Sequence, residues 1–122
     1  MSRVRVQGDL FHGVVPGSAR YIGRAAPGLP RSRYANVHRV GLCRRCGVVH
    51  DQADAVAAYA ADLAEQPELV AAARRELAGV DVACWCPIWP CHGDVLEAVL
   101  AGVDPLQMAD RNRWLADMSE AG

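Results

Sequence analysis

Apolar residues along this chain recur with two periods, and the alternation between them outlines the fold. Arg3 to Val6 alternates charged and β-branched residues, the period-two pattern of a strand with one buried face. Tyr21-Ile22 resumes a strand-like signal that breaks at Gly23-Arg24. The stretch 25–33 contains two prolines and a glycine and predicts an irregular loop. From Asp51 the period becomes helical. Asp51 reads as an N-cap with Asp54 in the capping-box position, and Val56, Tyr59, Ala60 and Leu63 form one apolar face. Pro67 opens a second helix with Leu69, Val70, Ala73 and Leu77 inward and Gly79 as its stop. Val80, Val82 and Cys84 then alternate with Asp81, Ala83 and Trp85, a strand pattern. Val95, Leu96, Val99 and Leu100 mark a helix that begins at Cys91-His92 and ends at Gly102. Asp104-Pro105 starts a last helix, Trp114 packs it onto the body, and the tail 119–122 is expected to fray.

Strands separated by helical segments predict an α/β fold: a small, single-domain, Rossmann-like sandwich over 1–122, with a mostly parallel sheet. In such sheets ligands bind beyond the carboxyl ends of the strands. Gly23-Arg24 and the Cys84–His92 loop both lie at predicted strand ends, so they are expected to converge on one site.

Charge adds a local asymmetry to this picture. The net charge of -1 gives no global steering toward nucleic acid or an anionic membrane. The segment from Arg20 to Arg45, however, carries Arg20, Arg24, Arg31, Arg33, Arg39, Arg44 and Arg45 with no acidic residue. Such a run is either a solvated surface or a face for phosphate or carboxylate, which arginine meets with bidentate donors. The start, MSRVRVQGDL, has no apolar core of a signal peptide, and no stretch has the length of a membrane span; a soluble cytoplasmic protein is the expectation. Five clustered cysteines in that setting argue for thiolate or metal chemistry before disulfides.

The cysteines fall into two groups. Cys43-Arg-Arg-Cys46 with His50 has the spacing of a zinc knuckle, and Gly47 favours the tight turn this needs; the alternative is a pair of reduced, partly exposed thiols. In the second group the pleat turns Cys84 and Cys86 to one strand face, prolines 87 and 90 stiffen the loop, and Cys91-His92 opens a helix. Three accounts of that group stand. It can bind zinc, by itself or by lending a cysteine such as Cys86 to Cys43, Cys46 and His50. Cys91 can be a nucleophile, its thiol activated by the helix N-terminus with His92 or His12 as base. Or the cysteines simply fill space near Trp85 and Trp89. The spacings do not match ferredoxin-type cluster motifs.

With Tyr21-Ile22-Gly23-Arg24, Ser32-Arg-Tyr-Ala-Asn36 and Cys84-Trp-Cys86-Pro87…Cys91-His92 in hand, the chain resembles the DUF4326 family, small actinobacterial and bacteriophage proteins of unassigned function. The resemblance runs from about Arg3 to Leu100, and the terminal CxCxP…CH is its most specific part. Val37 departs from the family pattern, which has proline after the asparagine. The resemblance implies that Cys43, Cys46 and His50, an insert of one branch, support a local structure, whereas Cys84–His92 serves the shared role.

Two functional expectations follow. The first is an enzyme on a nucleotide or related phosphorylated small molecule. Arg24 would hold the anion, Asn36 would orient the substrate beside Tyr21 and Gly23, and Cys84, Cys86, Cys91 and His92 would supply metal or nucleophile. The second is a zinc-stabilised module that binds nucleic acid or a protein partner without catalysis, its nucleic-acid form disfavoured by the near-neutral charge.

Overall fold

The computed structural model describes residues 3–7, 15, 17, 19–24, 29–38, 40–44, 46–84 and 91–114. His12, Trp85, Cys86, Trp89 and the tail lie outside these residues, and Cys84 is described in its backbone alone. The chain is a mixed α/β protein. Three short strands form one sheet: β1 (Arg3–Arg5), β2 (Arg20–Tyr21) and, between them, β5 (Val82–Cys84). Both pairings are parallel, with Arg3 and Arg20 opposite Val82. Val82 and Ala83 point to opposite faces of β5 and both are fully buried, as a central strand requires. A separate antiparallel hairpin, β3 (Gly41–Cys43) and β4 (Val48–His50), stands where the sequence pattern predicts only basic loop and knuckle.

Helix α1 (Gln52–Ala64) starts where its sequence says it should. Asp54 N donates to Asp51 Oδ1 at 2.8 Å and Asp51 N donates to Asp54 Oδ2 at 3.1 Å, so two orphan donors of the first turn are satisfied reciprocally. Arg111 pairs with both carboxylates, reaching Asp54 Oδ1 at 2.7 Å, and holds the Asp51 carboxyl below its ordinary range. Pro67 occupies the first turn of α2 (Pro67–Glu76), and Cys91 caps α3 (His92–Leu100) with its own box to Asp94. Val56, Tyr59, Ala60, Leu63, Val70, Leu77, Val95, Leu96 and Val99 join Ile22, Tyr34 and Val82 in one buried core. Helix α3 lies against β1 and β5, and α1 and α2 pack on α3. Where the sequence predicts one last helix from Asp104-Pro105, the chain makes a 3₁₀ turn, Pro105–Met108, capped by Asp104, and helical backbone resumes over 111–114. Trp114, in that second segment, donates from Nε1 to Met108 O at 2.8 Å and is buried as expected. No helix among the described residues is long and apolar enough to cross a membrane.

The end of α2 is tied to the sheet by one carboxylate. Glu76 accepts the Tyr34 hydroxyl at Oε2 (2.5 Å), pairs with Arg33 at Oε1 and lies 3.6 Å from Arg20 Nη1. The Tyr34 hydrogen bond first, then Arg33, holds the Glu76 carboxyl below the ordinary 4.5. A carboxylate whose folded pKa is depressed stabilises the fold above its unfolded pKa, and that contribution is lost as pH falls through the folded value. Melting profiles taken from about pH 7 to about pH 3 should therefore find Glu76→Gln below the parent at neutral pH and level with it at the acid end. Parallel profiles across the range would show that Glu76 carries no such linkage.

Candidate metal centre

The hairpin builds its own ligand geometry. Directly opposed residues of an antiparallel pair share a face, and alternate residues along each strand return to it. The register Gly41↔His50 and Cys43↔Val48 therefore puts Cys43 and His50 on one side, with no side chain on Gly41 to come between them. The chain turns back through Gly47, whose φ of +73° is left-handed and whose N–H donates to Cys43 O at 2.8 Å. This brings Cys46 beside Cys43. Cys43 is buried at the end of β3, and Cys46 is exposed in the turn.

A fourth donor comes from outside the hairpin. His38 is buried, and its Nδ1 lies 3.2 Å from Cys46 Sγ and 3.6 Å from Cys43 Sγ. Zinc bonds of roughly 2.3 Å to sulfur and 2.0 Å to nitrogen put tetrahedral S and N ligands about 3.5 Å apart, so these separations suit one shared ion. The His50 ring meets the His38 ring edge-on, with centroids 5.6 Å apart. His50 Nε2 is buried with no hydrogen-bond partner among the described residues, a costly state that a metal bond removes. One ligand atom from each of His38, Cys43, Cys46 and His50 lies within 4.8 Å of the others. Two cysteines and two histidines make a four-donor set that can hold a metal ion.

His38 is delivered by the segment that the sequence marks with Arg24 and Asn36. Asn36 is buried; its Nδ2 donates to Ala55 O of α1 at 3.0 Å and its Oδ1 accepts from His38 N at 2.9 Å. Arg24 donates from Nε to Asn36 O at 2.8 Å and from Nη2 to His38 O at 2.6 Å. Beyond β2, the Tyr21 hydroxyl donates to Arg24 O, and Gly23 O accepts from Ser32 N at 3.0 Å. A Cβ at Gly23 would sit 2.4 Å from Tyr21 Oη, so the close approach of the two residues requires glycine or a displaced ring. Tyr21, Gly23, Arg24 and Asn36, which the sequence reading assigns to a ligand, form a network that supports the His38 backbone.

Cys91 and His92 lie elsewhere, at the carboxyl end of the parallel sheet. Cys91 Sγ is fully buried, accepts from Gly93 N at 3.3 Å and lies 3.7 Å from His92 Nδ1. His92 Nε2 lies 2.8 Å from Ile22 O, an acceptor only, so Nε2 carries the hydrogen and Nδ1 turns its lone pair toward the thiol. The Tyr59 ring meets His92 edge-on at 5.2 Å. Burial, and next the nearby Cys91, push the Tyr59 phenol far up, and it stays protonated to donate to Tyr34 O at 2.7 Å. Of the sequence-proposed metal ligands, Cys43, Cys46 and His50 come together, and the described residues add His38 as a fourth; Cys86 lies outside them. His38 escapes a reading that looks only downstream of a C-x₂-C pair. The frame H-x₄-C-x₂-C-x₃-H is the signal that would have found it.

Fold and site together define a small mixed α/β protein with a candidate two-cysteine, two-histidine metal centre on a hairpin. The chain belongs to the DUF4326 family, a domain of unknown function, whose model matches residues 11–102. No curated protein and no solved structure matches it.

Proposed function

We propose that the centre holds zinc and that the metal is structural, fixing the β3–β4 hairpin and the His38 segment to α1. The convergence of four S and N donors, among them a buried His50 Nε2 with no hydrogen-bond partner among the described residues, carries this reading. Thiolate and imidazole donors in a closed set of four are those of structural zinc, and reduced thiols suit a cytoplasmic setting. A closed centre leaves no position for substrate, so chemistry belongs at the other cysteine group. There, at the carboxyl ends of β2 and β5, we place a small phosphorylated or nucleotide-like ligand, with Cys91 and His92 as its reacting pair and Cys84 and Cys86 adjoining in sequence. Parallel strands ending beside a helix N-terminus, in the manner of a Rossmann-like sandwich, favour that position. The side chains of Arg24 and Asn36 hold the His38 segment and so belong with the metal centre.

Thermal melts of the metal-loaded protein against nucleotides and sugar phosphates test the ligand. A ligand at about 100 times its Kd adds roughly 2.7 kcal/mol, a rise of several degrees. A panel that leaves Tm unmoved removes the nucleotide reading and leaves the metal reading intact.

A second reading, a metal-stabilised binding module without catalysis, rests on the hairpin's outward face, where Leu42 and Val49 oppose each other, 68% and 72% exposed. That face is apolar, which suits a protein partner better than nucleic acid.

A further inference from the structure

We propose that Asp62 is a positioning residue of the metal centre: its carboxylate holds the Nε2–H of His38, so that Nδ1 is the atom given to the metal. The inference rests on the zinc reading above and adds a residue that the ligand set does not contain. His38 Nε2 lies 2.7 Å from Asp62 Oδ2. An ionised carboxylate only accepts, so the hydrogen sits on Nε2 and the Nδ1 lone pair faces Cys43 and Cys46. Among the described residues His50 has no such partner, and its orphaned buried atom is Nε2. The two imidazoles therefore bind through different nitrogens, His38 through Nδ1 and His50 through Nε2.

The place of Asp62 in its helix points the same way. It lies in the last turn of α1, where the helix dipole disfavours a carboxylate, and no basic residue of that turn compensates it. A donor from His38 supplies what the helix itself does not. Seven residues earlier on α1, Ala55 O takes the Asn36 side chain. The ligand-bearing segment is thus fastened to α1 at two points, two turns apart, and only the second acts through the ligand's own ring.

The side chain of Asp62 is 36% exposed, so its replacement opens no cavity, and the variants should fold as the parent does. The test compares parent, Asp62→Asn, Asp62→Glu and, as a charge control, Glu65→Gln, an exposed acid on the same helix end that does not touch His38. Each is loaded with zinc; affinity is read by competition with a chromogenic chelator, and the His38 ring by long-range ¹⁵N–¹H correlation. Asp62→Asn should weaken zinc binding about 10- to 100-fold, the usual cost of losing an outer-shell partner. It should also disturb the Nε2–H signal of His38. Asp62→Glu should recover part of the affinity, and Glu65→Gln should leave it within about two-fold. If the parent itself binds no zinc, the zinc reading fails and this inference with it. If the parent binds zinc and Asp62→Asn matches it in affinity and in the His38 spectrum, the role of Asp62 is overturned while the zinc reading stands.

Discussion

Cys43→Ser is expected to lose its metal and melt far below the parent. Cys43 closes β3, is fully buried and lies 3.6 Å from His38 Nδ1, so its sulfur faces the other donors. A serine hydroxyl is a poor zinc donor, and three remaining ligands hold the ion weakly. A ligand that binds only the folded chain at about 1,000 times its Kd contributes roughly 4 kcal/mol. For a domain of this size that corresponds to a fall in Tm of about 12–20 °C. Cys46→Ser should behave alike although Cys46 is exposed, because the loss follows the metal and not burial. Cys91→Ser supplies the contrast. Cys91 is equally buried, but it caps α3, a place serine fills well, and it lies outside the centre. It should keep about one zinc per chain. Elemental analysis beside melting curves checks all three, and equal metal loss in Cys43→Ser and Cys91→Ser would contradict the assignment.

Asn36→Ala should cost about 3 kcal/mol and weaken metal retention as well. The substitution removes the acceptor of His38 N, leaving a buried N–H unpaired, and removes the donor to Ala55 O. An unsatisfied buried group costs about 1–3 kcal/mol, and the lost second bond adds to it. Asn36→Asp restores the acceptor but turns a carboxylate toward Ala55 O, so it should rescue little. Denaturant midpoints at fixed zinc measure the effect. If Asn36 instead orients a substrate, both variants will keep parental stability and lose only ligand binding.

The parts of this protein legible in its sequence are those dictated by local chemistry. The Asp51/Asp54 box, Pro67 at the start of α2 and the apolar faces of α1 and α3 need no tertiary information, and each element lies where its residues place it. The hairpin was not legible, because strands of three residues are too short for a period to emerge and their apolar residues, Leu42 and Val49, face outward. His38 was hidden for a related reason: it reaches the cysteines through the Asn36 and Arg24 contacts, which fold a loop back on α1 and leave no local trace. Arg24 and Asn36 could be singled out in the sequence, but not the direction of their side chains. Both turn to backbone groups, where the sequence reading assigns them an anion and a substrate.

The central claim is that His38, Cys43, Cys46 and His50 together hold one zinc ion, and X-ray absorption at the zinc edge of the purified protein tests it most directly. The account predicts about one zinc per chain, with two sulfurs at roughly 2.3 Å and two nitrogens at roughly 2.0 Å. A shell with three or more sulfurs would move the site toward Cys84, Cys86 or Cys91, and a native, folded protein that carries no metal would contradict the account outright.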